Sequence, residues 1–545
     1  MATLDWLIIG LYFILLAMIV RWVLKHKKDD TNDYFLSGRG ETWLAVGAGI
    51  FGANIGSEHL VGLAGAGASS GMAMAHWEMQ GWMILILGWV FVPFYAHSKV
   101  FTMPEFLKRR FNRNASSTLS LITLIGYVIT KVSVAAYTGG IFLEAVFGIK
   151  SIDGVDFFWI AAIGTVILTG IFTIAGGMKS ILLMSVIQTP ILIIGAFLIL
   201  VLGLYKLGEG HVVQGWANMV QSAGNKMHLI HSNPNDPLYK QFPGVSVIFG
   251  AAIIGFWYWV TDQAIVQRVL SAKNMHHGRT GSLFAGYLKL LPVFMFLVPG
   301  IIAAALRARG DLMFVGDDKA YGTLVAFLLP VGIKGIVVVG FLAALMTSLA
   351  ATYNSAATLY TIDFYKPSHP HASEKKLVIV GRVATLIVVI LGVVWIPIMR
   401  DLGDVLYEYL QKVQSLIAPA IAAVFILGVF SRKITPKAGE WGLITGFVIG
   451  MLRLLLLILK PAAFQWFLDI NWLNFSIYLF FFTMALMIVI SFFTRPAGEE
   501  QLQGYTYFSQ TPEQRHETRT SWTKWDVINS VVIVAACVAF YIYFW

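Results

Sequence analysis

Cysteine and charge are what this 545-residue chain has least of. Its single cysteine, Cys537, excludes a disulfide-built scaffold. Charged residues make up only 12% of the chain, against about 25% in ordinary globular chains, while hydrophobic residues reach 57%. That balance excludes a disordered protein and a cytosolic enzyme. There is no G-x-x-x-x-G-K-[ST] loop and no soluble stretch long enough for a nucleotide-binding domain, which argues against ATP-driven transport. Nor does any nucleophile–base pair or metal-spaced His/Cys cluster stand out, so the reading is not an enzyme and needs no organic cofactor. What is present is apolar bulk: 38 Phe, 20 Tyr and 17 Trp, with a mean hydropathy of +0.73. The chain reads as an all-α polytopic membrane protein.

The net charge of +10 raises the question of a nucleic-acid partner. The basic residues instead sit in short clusters between apolar runs: Arg21, Lys25, Lys27 and Lys28; Lys108, Arg109, Arg110 and Arg113; Arg432, Lys433 and Lys437. This is the pattern of cytoplasmic loops, and no nucleic acid is expected. About fourteen runs are long enough to cross a ~30 Å hydrocarbon core. They fall near 4–24, 42–68, 76–98, 116–148, 155–176, 181–204, 244–270, 279–306, 332–362, 376–397, 405–431, 438–458, 473–494 and 526–544. The runs are continuously apolar rather than alternating, which excludes a β-barrel. The first is expected not to be a signal peptide, since Asp5 precedes it and the basic cluster follows it. With both termini outside, the inner loops carry roughly 24 Lys/Arg and the outer loops about 9, so this orientation is expected.

Two segments interrupt the helical pattern. Residues 45–67, "AVGAGIFGANIGSEHLVGLAGAG", and 244–259, "GVSVIFGAAIIGFWYW", are too glycine-rich for uninterrupted helices. Such paired interruptions point to a transporter binding site, though close helix packing in a membrane also uses glycine. Glu58, Glu78, Lys131, Asp262 and Lys289 lie in or beside predicted spans, with Asn54, His59, Gln263 and Gln411 near them. A charge at the bilayer centre costs at least ~2.5–3.5 kcal/mol, so each must face a cavity or a partner. Amide, imidazole, carboxylate and ammonium groups beside Trp and Tyr suit a sugar, whose hydroxyls need paired donors and acceptors and whose ring stacks on an aromatic face. Taken singly, each is equally a buried structural hydrogen bond. In "AALMTSLAATYNSAAT", Thr347 and Ser348 are adjacent hydroxyls on an otherwise small, apolar helix. With carbonyls freed by a broken helix near Gly52 and Ile55 they would suit Na⁺; back-bonding to the i−4 carbonyl is the plainer alternative.

Several stretches go further: "TDQAIVQRVLSAKNM" (261–275), "GYLKLLPVF" (286–294), "NSAATLYTIDFYK" (354–366), "ASEKKLVIVGR" (372–382), "APAIAAVFILGVF" (418–430) and the Gly-Gly stretch "FTIAGGMKS" (172–180). On these the chain resembles the sodium/solute symporters, and within them the sodium/glucose cotransporters, over nearly its whole length. The resemblance implies a leucine-transporter-like 5+5 inverted repeat. One extra helix and a loop would occupy 1–41, the first repeat 42–204, an extracellular loop 205–243, the second repeat 244–431, and three further helices 432–545, with a cytoplasmic loop near 495–525. It implies a sugar site of Asn54, His59, Glu78, Tyr258, Trp259, Lys289 and Gln411, with Tyr258 also the inner gate. Leu63, Trp77 and Tyr407 would form the outer gate. The ion site would take carbonyls of Gly52, Ile55 and Ala344 and the hydroxyls of Thr347 and Ser348.

The departures matter as much. Ser185 stands where relatives usually carry Asp, and Ala350 and Ala351 stand where members that couple two ions add hydroxyls. Gly255 replaces a side chain that contacts sugar in relatives, and Ala438-Gly439 reverses part of a second signature. The expected activity is secondary active symport of a glucose/galactose-type hexose by alternating access, one Na⁺ per sugar. A myo-inositol or other polyol symporter is the alternative, with a sugar-gated sensor or channel more distant. The expected partners are a monosaccharide, sodium and the lipid bilayer, the expected state a monomer. The single cysteine and short outer loops suggest the plasma membrane of a bacterium.

Overall fold

The computed structural model describes residues 1–26, 30–98, 100–400 and 405–545, so Lys27 and Lys28 of the first basic cluster lie outside the described residues. Helices account for 82% of the structure. The strands among the described residues form one two-residue hairpin pairing Ser151–Ile152 with Val155–Asp156. In a bilayer this is what the backbone requires, because helices satisfy their own N–H and C=O groups.

Helix α1 (Thr3–His26) lies at the periphery, packed on two longer helices. Helix α2 (Trp43–Asn54) ends where Ile55 turns extended (φ −80°, ψ 99°), and the chain resumes in a wide, π-type turn at Glu58–Leu63. The last carbonyls of α2 are thereby released from the helical ladder. Helix α3 (Phe157–Leu207) has 51 residues, about 75 Å at the α-helical rise. It is divided at Gly177, whose φ of +60° suits only glycine; a Cβ there would also stand 2.9 Å from the Tyr34 ring.

The second interruption follows the same logic. Helix α4 (Ser246–Phe256) passes into a wide turn at Trp257–Thr261, Asp262 is extended, and α5 (Gln263–Leu270) restarts at an angle of 40°. Asp262 caps α5 by accepting from the Ala264 N–H at 2.8 Å. Helix α6 (Ile333–Leu359) is central: 94% of its most apolar window is buried, against 22% for α1. Helix α7 (Leu406–Phe430) closes the far side of the core, and α8 (Lys524–Phe544) is again peripheral.

Counting continuous apolar helices among the described residues gives eleven able to cross a membrane, or twelve with the bent α4–α5 pair taken as one. The sequence reading of about fourteen is not reached by this count. The runs 155–176 and 181–204 count as one 51-residue helix although the kink at Gly177 falls between them, and Glu58–Ser98 likewise counts as one 41-residue stretch where the sequence reading ended one span at 68 and began another at 76.

Candidate functional site

The two broken segments face each other. Between them lies a cavity walled by Asn54, Glu58 and His59 from the first break, Ile254, Gly255, Tyr258 and Trp259 from the second, and Trp77, Gln80, Lys131, Val134, Lys289, Tyr407, Leu410, Gln411 and Gln414 from surrounding helices. Six of the seven residues that the resemblance implies for sugar are on this wall. The seventh, Glu78, sits just behind it, fully buried, and organises one side. Glu78 accepts from Lys289 Nζ at 2.6 Å and from the Tyr407 hydroxyl at 2.5 Å, and lies 3.6 Å from His59 Nε2. Lys289 also donates to Asn54 Oδ1 at 3.1 Å, and Asn54 Nδ2 donates to the Tyr258 hydroxyl at 3.2 Å. Carboxylate, ammonium, amide and phenol thus form one connected chain across the break. A buried ion pair stands only if its remaining valences are met, as they are here.

The aromatic groups are tied into the same network. Lys289 Nζ lies 5.3 Å from the Trp259 ring centroid, and Lys131 Nζ lies 4.6 Å from that of Tyr258. Trp77 stacks on Trp472 with centroids 5.5 Å apart and planes at 18°. Of the residues implied for the outer gate, Trp77 and Tyr407 reach the cavity, whereas Leu63 is buried in the core and does not line it. On the other side of Tyr258, Lys131 stands 3.5 Å from Asp262, and the Tyr127 hydroxyl donates to Asp262 Oδ1 at 3.2 Å.

Sequence reasoning passed over Gln80. Its Oε1 accepts from Trp259 Nε1 at 2.9 Å and its Nε2 donates to the Ala251 carbonyl at 2.8 Å, so it fixes the Trp259 ring. It also accounts for Gly255: a Cβ there would lie 2.6–2.7 Å from the Gln80 amide. The side chain missing from α4 is replaced in space by one from a neighbouring helix. Gly255→Ser is therefore expected to displace Gln80 and free the Trp259 indole, weakening substrate affinity about tenfold, the effect of roughly one buried hydrogen bond. Substrate titration of indole fluorescence reads it.

Among the described residues, several buried polar atoms on the cavity wall have no hydrogen-bond partner: Glu58 Oε2, both ring nitrogens of His59, Trp77 Nε1, Gln411 Oε1, and Lys131 Nζ, which has only its ion pair with Asp262. Leaving one such group unpaired costs about 1–3 kcal/mol, so the cavity wall concentrates unmet hydrogen-bonding capacity. Glu58 and Lys131 are the members outside the sites that the resemblance implies. An ionisable residue inside a span was the signal for each.

The residues implied for an ion meet where α2 breaks against α6. Thr347, Ser348 and Ala344 are buried on α6, and Ile55 is fully buried at the break. A Cβ on Gly52 would lie 2.8 Å from Ser185 Oγ and 3.0 Å from a Thr347 methyl, so α2, α3 and α6 converge within one side chain's width. Ser185 turns its hydroxyl back to the Ile181 carbonyl at 2.9 Å, and Ala350 and Ala351 are buried without a side-chain oxygen.

Residues 34–446 match the family described as the sodium:solute symporter family. The chain is 34% identical to sodium/glucose cotransporter 4 of Danio rerio over 95% of this chain and 83% of that protein. It is 34% identical to sodium/myo-inositol cotransporter 2 of Mus musculus, covering 94% and 79%, and 33% identical to sodium/glucose cotransporter 1 of Ovis aries, covering 91% and 80%. Among solved structures, a Na⁺-coupled sialic acid symporter in a substrate-bound, outward-open state superposes with a TM-score of 0.75 at 17% identity, over 91% of this chain and 99% of that one. The fold is thus leucine-transporter-like.

Proposed function

The chain belongs to the sodium:solute symporter family, and on that premise we propose that it couples the entry of one Na⁺ to the import of one glucose- or galactose-type monosaccharide. The observation that carries the reading is the ring of unpartnered buried donors and acceptors around an aromatic-walled cavity. A hexose satisfies both halves: its hydroxyls pair with Glu58, His59, Lys131 and Gln411, and its apolar face lies on an aromatic ring. Lys289 meets sugar from the wall while already paired with Glu78 behind it, which balances its charge.

The proposed cycle is alternating access. Sodium binds first, held by carbonyls of Gly52, Ile55 and Ala344 and hydroxyls of Thr347 and Ser348. It joins the end of α2 to α6 and so orders Asn54, Glu58 and His59, which flank the same break in sequence. Sugar then draws Tyr407 and Trp77 over the cavity, and the two repeats, 42–204 and 244–431, rock so that the pathway beneath Tyr258 opens. That opening parts Tyr258 from Asn54 and disturbs the Lys131–Asp262 pair. One ion per sugar is supported by Ser185, which offers a neutral hydroxyl in place of a carboxylate, and by Ala350 and Ala351, whose side chains carry no oxygen. One charge crossing 100 mV supplies ~2.3 kcal/mol. A tenfold Na⁺ gradient adds about 1.4 kcal/mol, permitting accumulation of roughly a few hundredfold. The protein works as a monomer in the plasma membrane with both termini outside, an orientation that rests on the basic loops.

A second reading, import of myo-inositol, is favoured by the relatives of that name, and the same hydroxyl partners would serve a cyclitol. Counterflow in proteoliposomes tests the common core, since a carrier exchanges labelled for unlabelled sugar and a sensor does not. Competition by a panel of hexoses and cyclitols then ranks the substrates; failure of every hexose to compete removes the first reading. Within the site, Gln411→Ala is expected to weaken sugar affinity about tenfold, one hydrogen bond's worth, with Na⁺ binding intact. Separate titrations of sugar and Na⁺ check it.

A further inference from the structure

We infer that Tyr12 and Gln188 form a hydrogen-bonded relay that orients the Thr347 hydroxyl for sodium, so that the peripheral helix α1 sets the ion affinity of the core. The inference rests on the proposed ion site and adds two residues to it. A hydroxyl that ligates a cation must turn its lone pairs to the ion and give its single proton to an acceptor on the other side. Thr347 has two acceptors in reach. One is the Ala343 carbonyl at 2.8 Å, the ordinary back-bond of a helical threonine. The other is Gln188 Oε1, brought from α3 into close hydrogen-bonding contact.

The amide can serve only if its oxygen, not its nitrogen, faces Thr347. Tyr12 decides this. Gln188 Nε2 donates to the Tyr12 hydroxyl at 2.9 Å, and Tyr12 directs its own proton to Met346 Sδ at 3.9 Å, the residue preceding Thr347. A tyrosine whose proton is engaged elsewhere accepts from the amide and fixes it nitrogen-outward. The reversed amide would place an N–H on Thr347 Oγ1 and occupy a lone pair that the ion needs. All three side chains are buried, Tyr12 6%, Gln188 5% and Thr347 3% exposed, so the polar ends pair with one another where few other partners exist. Ser185, one turn earlier on α3, donates its proton to the Ile181 carbonyl within its own helix.

The test uses the full chain in proteoliposomes, with two readouts: the Na⁺ concentration for half-maximal sugar uptake, and the Na⁺ titration of thermal stability without sugar. Tyr12→Phe keeps the ring and loses the amide's anchor; half-saturating Na⁺ is expected to rise about three- to tenfold in both readouts. Sugar affinity and maximal rate at saturating Na⁺ are expected to stay as they are. Gln188→Met should raise half-saturating Na⁺ tenfold or more, and Gln188→Glu, which keeps an acceptor, should return it to within about threefold of the parent. Melting in K⁺ alone shows that each variant folds. If Tyr12→Phe and Gln188→Met both stay within twofold of the parent while Ser348→Ala loses its Na⁺ response, the relay is wrong and the ion site stands. If Ser348→Ala keeps its Na⁺ response, the ion site itself is misplaced and the relay falls with it.

Discussion

Ser348→Ala is expected to abolish sodium-driven uptake at ordinary external Na⁺. Ser348 is buried at 4% exposure beside Thr347, where α6 meets the end of α2. The proposed site carries no carboxylate, so its affinity comes from few oxygens and each matters. An interaction with a charged group is worth about 1.5–3 kcal/mol, which shifts half-saturating Na⁺ by roughly 10- to 150-fold. The effect is asymmetric. Sugar contacts none of α6's hydroxyls in this account, so sugar added at high concentration should still quench or shift indole fluorescence weakly. Driven accumulation should vanish, because the ion no longer ties α2 to α6. Sodium-dependent uptake that persists in this variant would place the ion elsewhere.

The second large effect is expected at Lys289. Lys289→Met removes the cation that Glu78 Oε2 holds at 2.6 Å and leaves a fully buried carboxylate with the Tyr407 hydroxyl and, at 3.6 Å, the His59 ring beside it. Breaking one side of a buried pair costs about 3–5 kcal/mol, more than deleting both partners. Sugar affinity should fall beyond measurement and the melting temperature should drop. In Lys289→Met/Glu78→Gln the stranded charge is gone, so thermal stability should largely recover while sugar binding does not. A double variant as unstable as the single one would show that the pair does not carry its own charge balance. The comparison separates structure from recognition at a site where one network does both.

The sequence showed much of this because membranes make polar residues conspicuous. Glu78, Lys289, Asn54 and His59 stand out within apolar runs, and the structure joins them through the broken helices. The breaks themselves were visible as glycine. Other features depend on segments far apart in the chain. Gln80 explains Gly255 only once two helices 171 positions apart in their shared contact are packed together. The Tyr12–Gln188–Thr347 relay spans α1, α3 and α6, and each member alone reads as an ordinary buried polar residue. Leu63, implied for the outer gate, is buried in the wide turn at Glu58–Leu63 and does not line the cavity that Trp77 and Tyr407 reach. Helix number was blurred for a related reason: α3 counts as one helix although its kink at Gly177 falls at the boundary that the apolar pattern had drawn.

The most direct measurement is the accumulation of labelled glucose in proteoliposomes carrying only this protein, with an inward Na⁺ gradient and ²²Na⁺ flux counted in parallel. The account predicts transient accumulation above the external concentration, lost when the gradient is dissipated or K⁺ replaces Na⁺, with one Na⁺ entering per sugar. Sugar that merely equilibrates, regardless of the gradient, would contradict it.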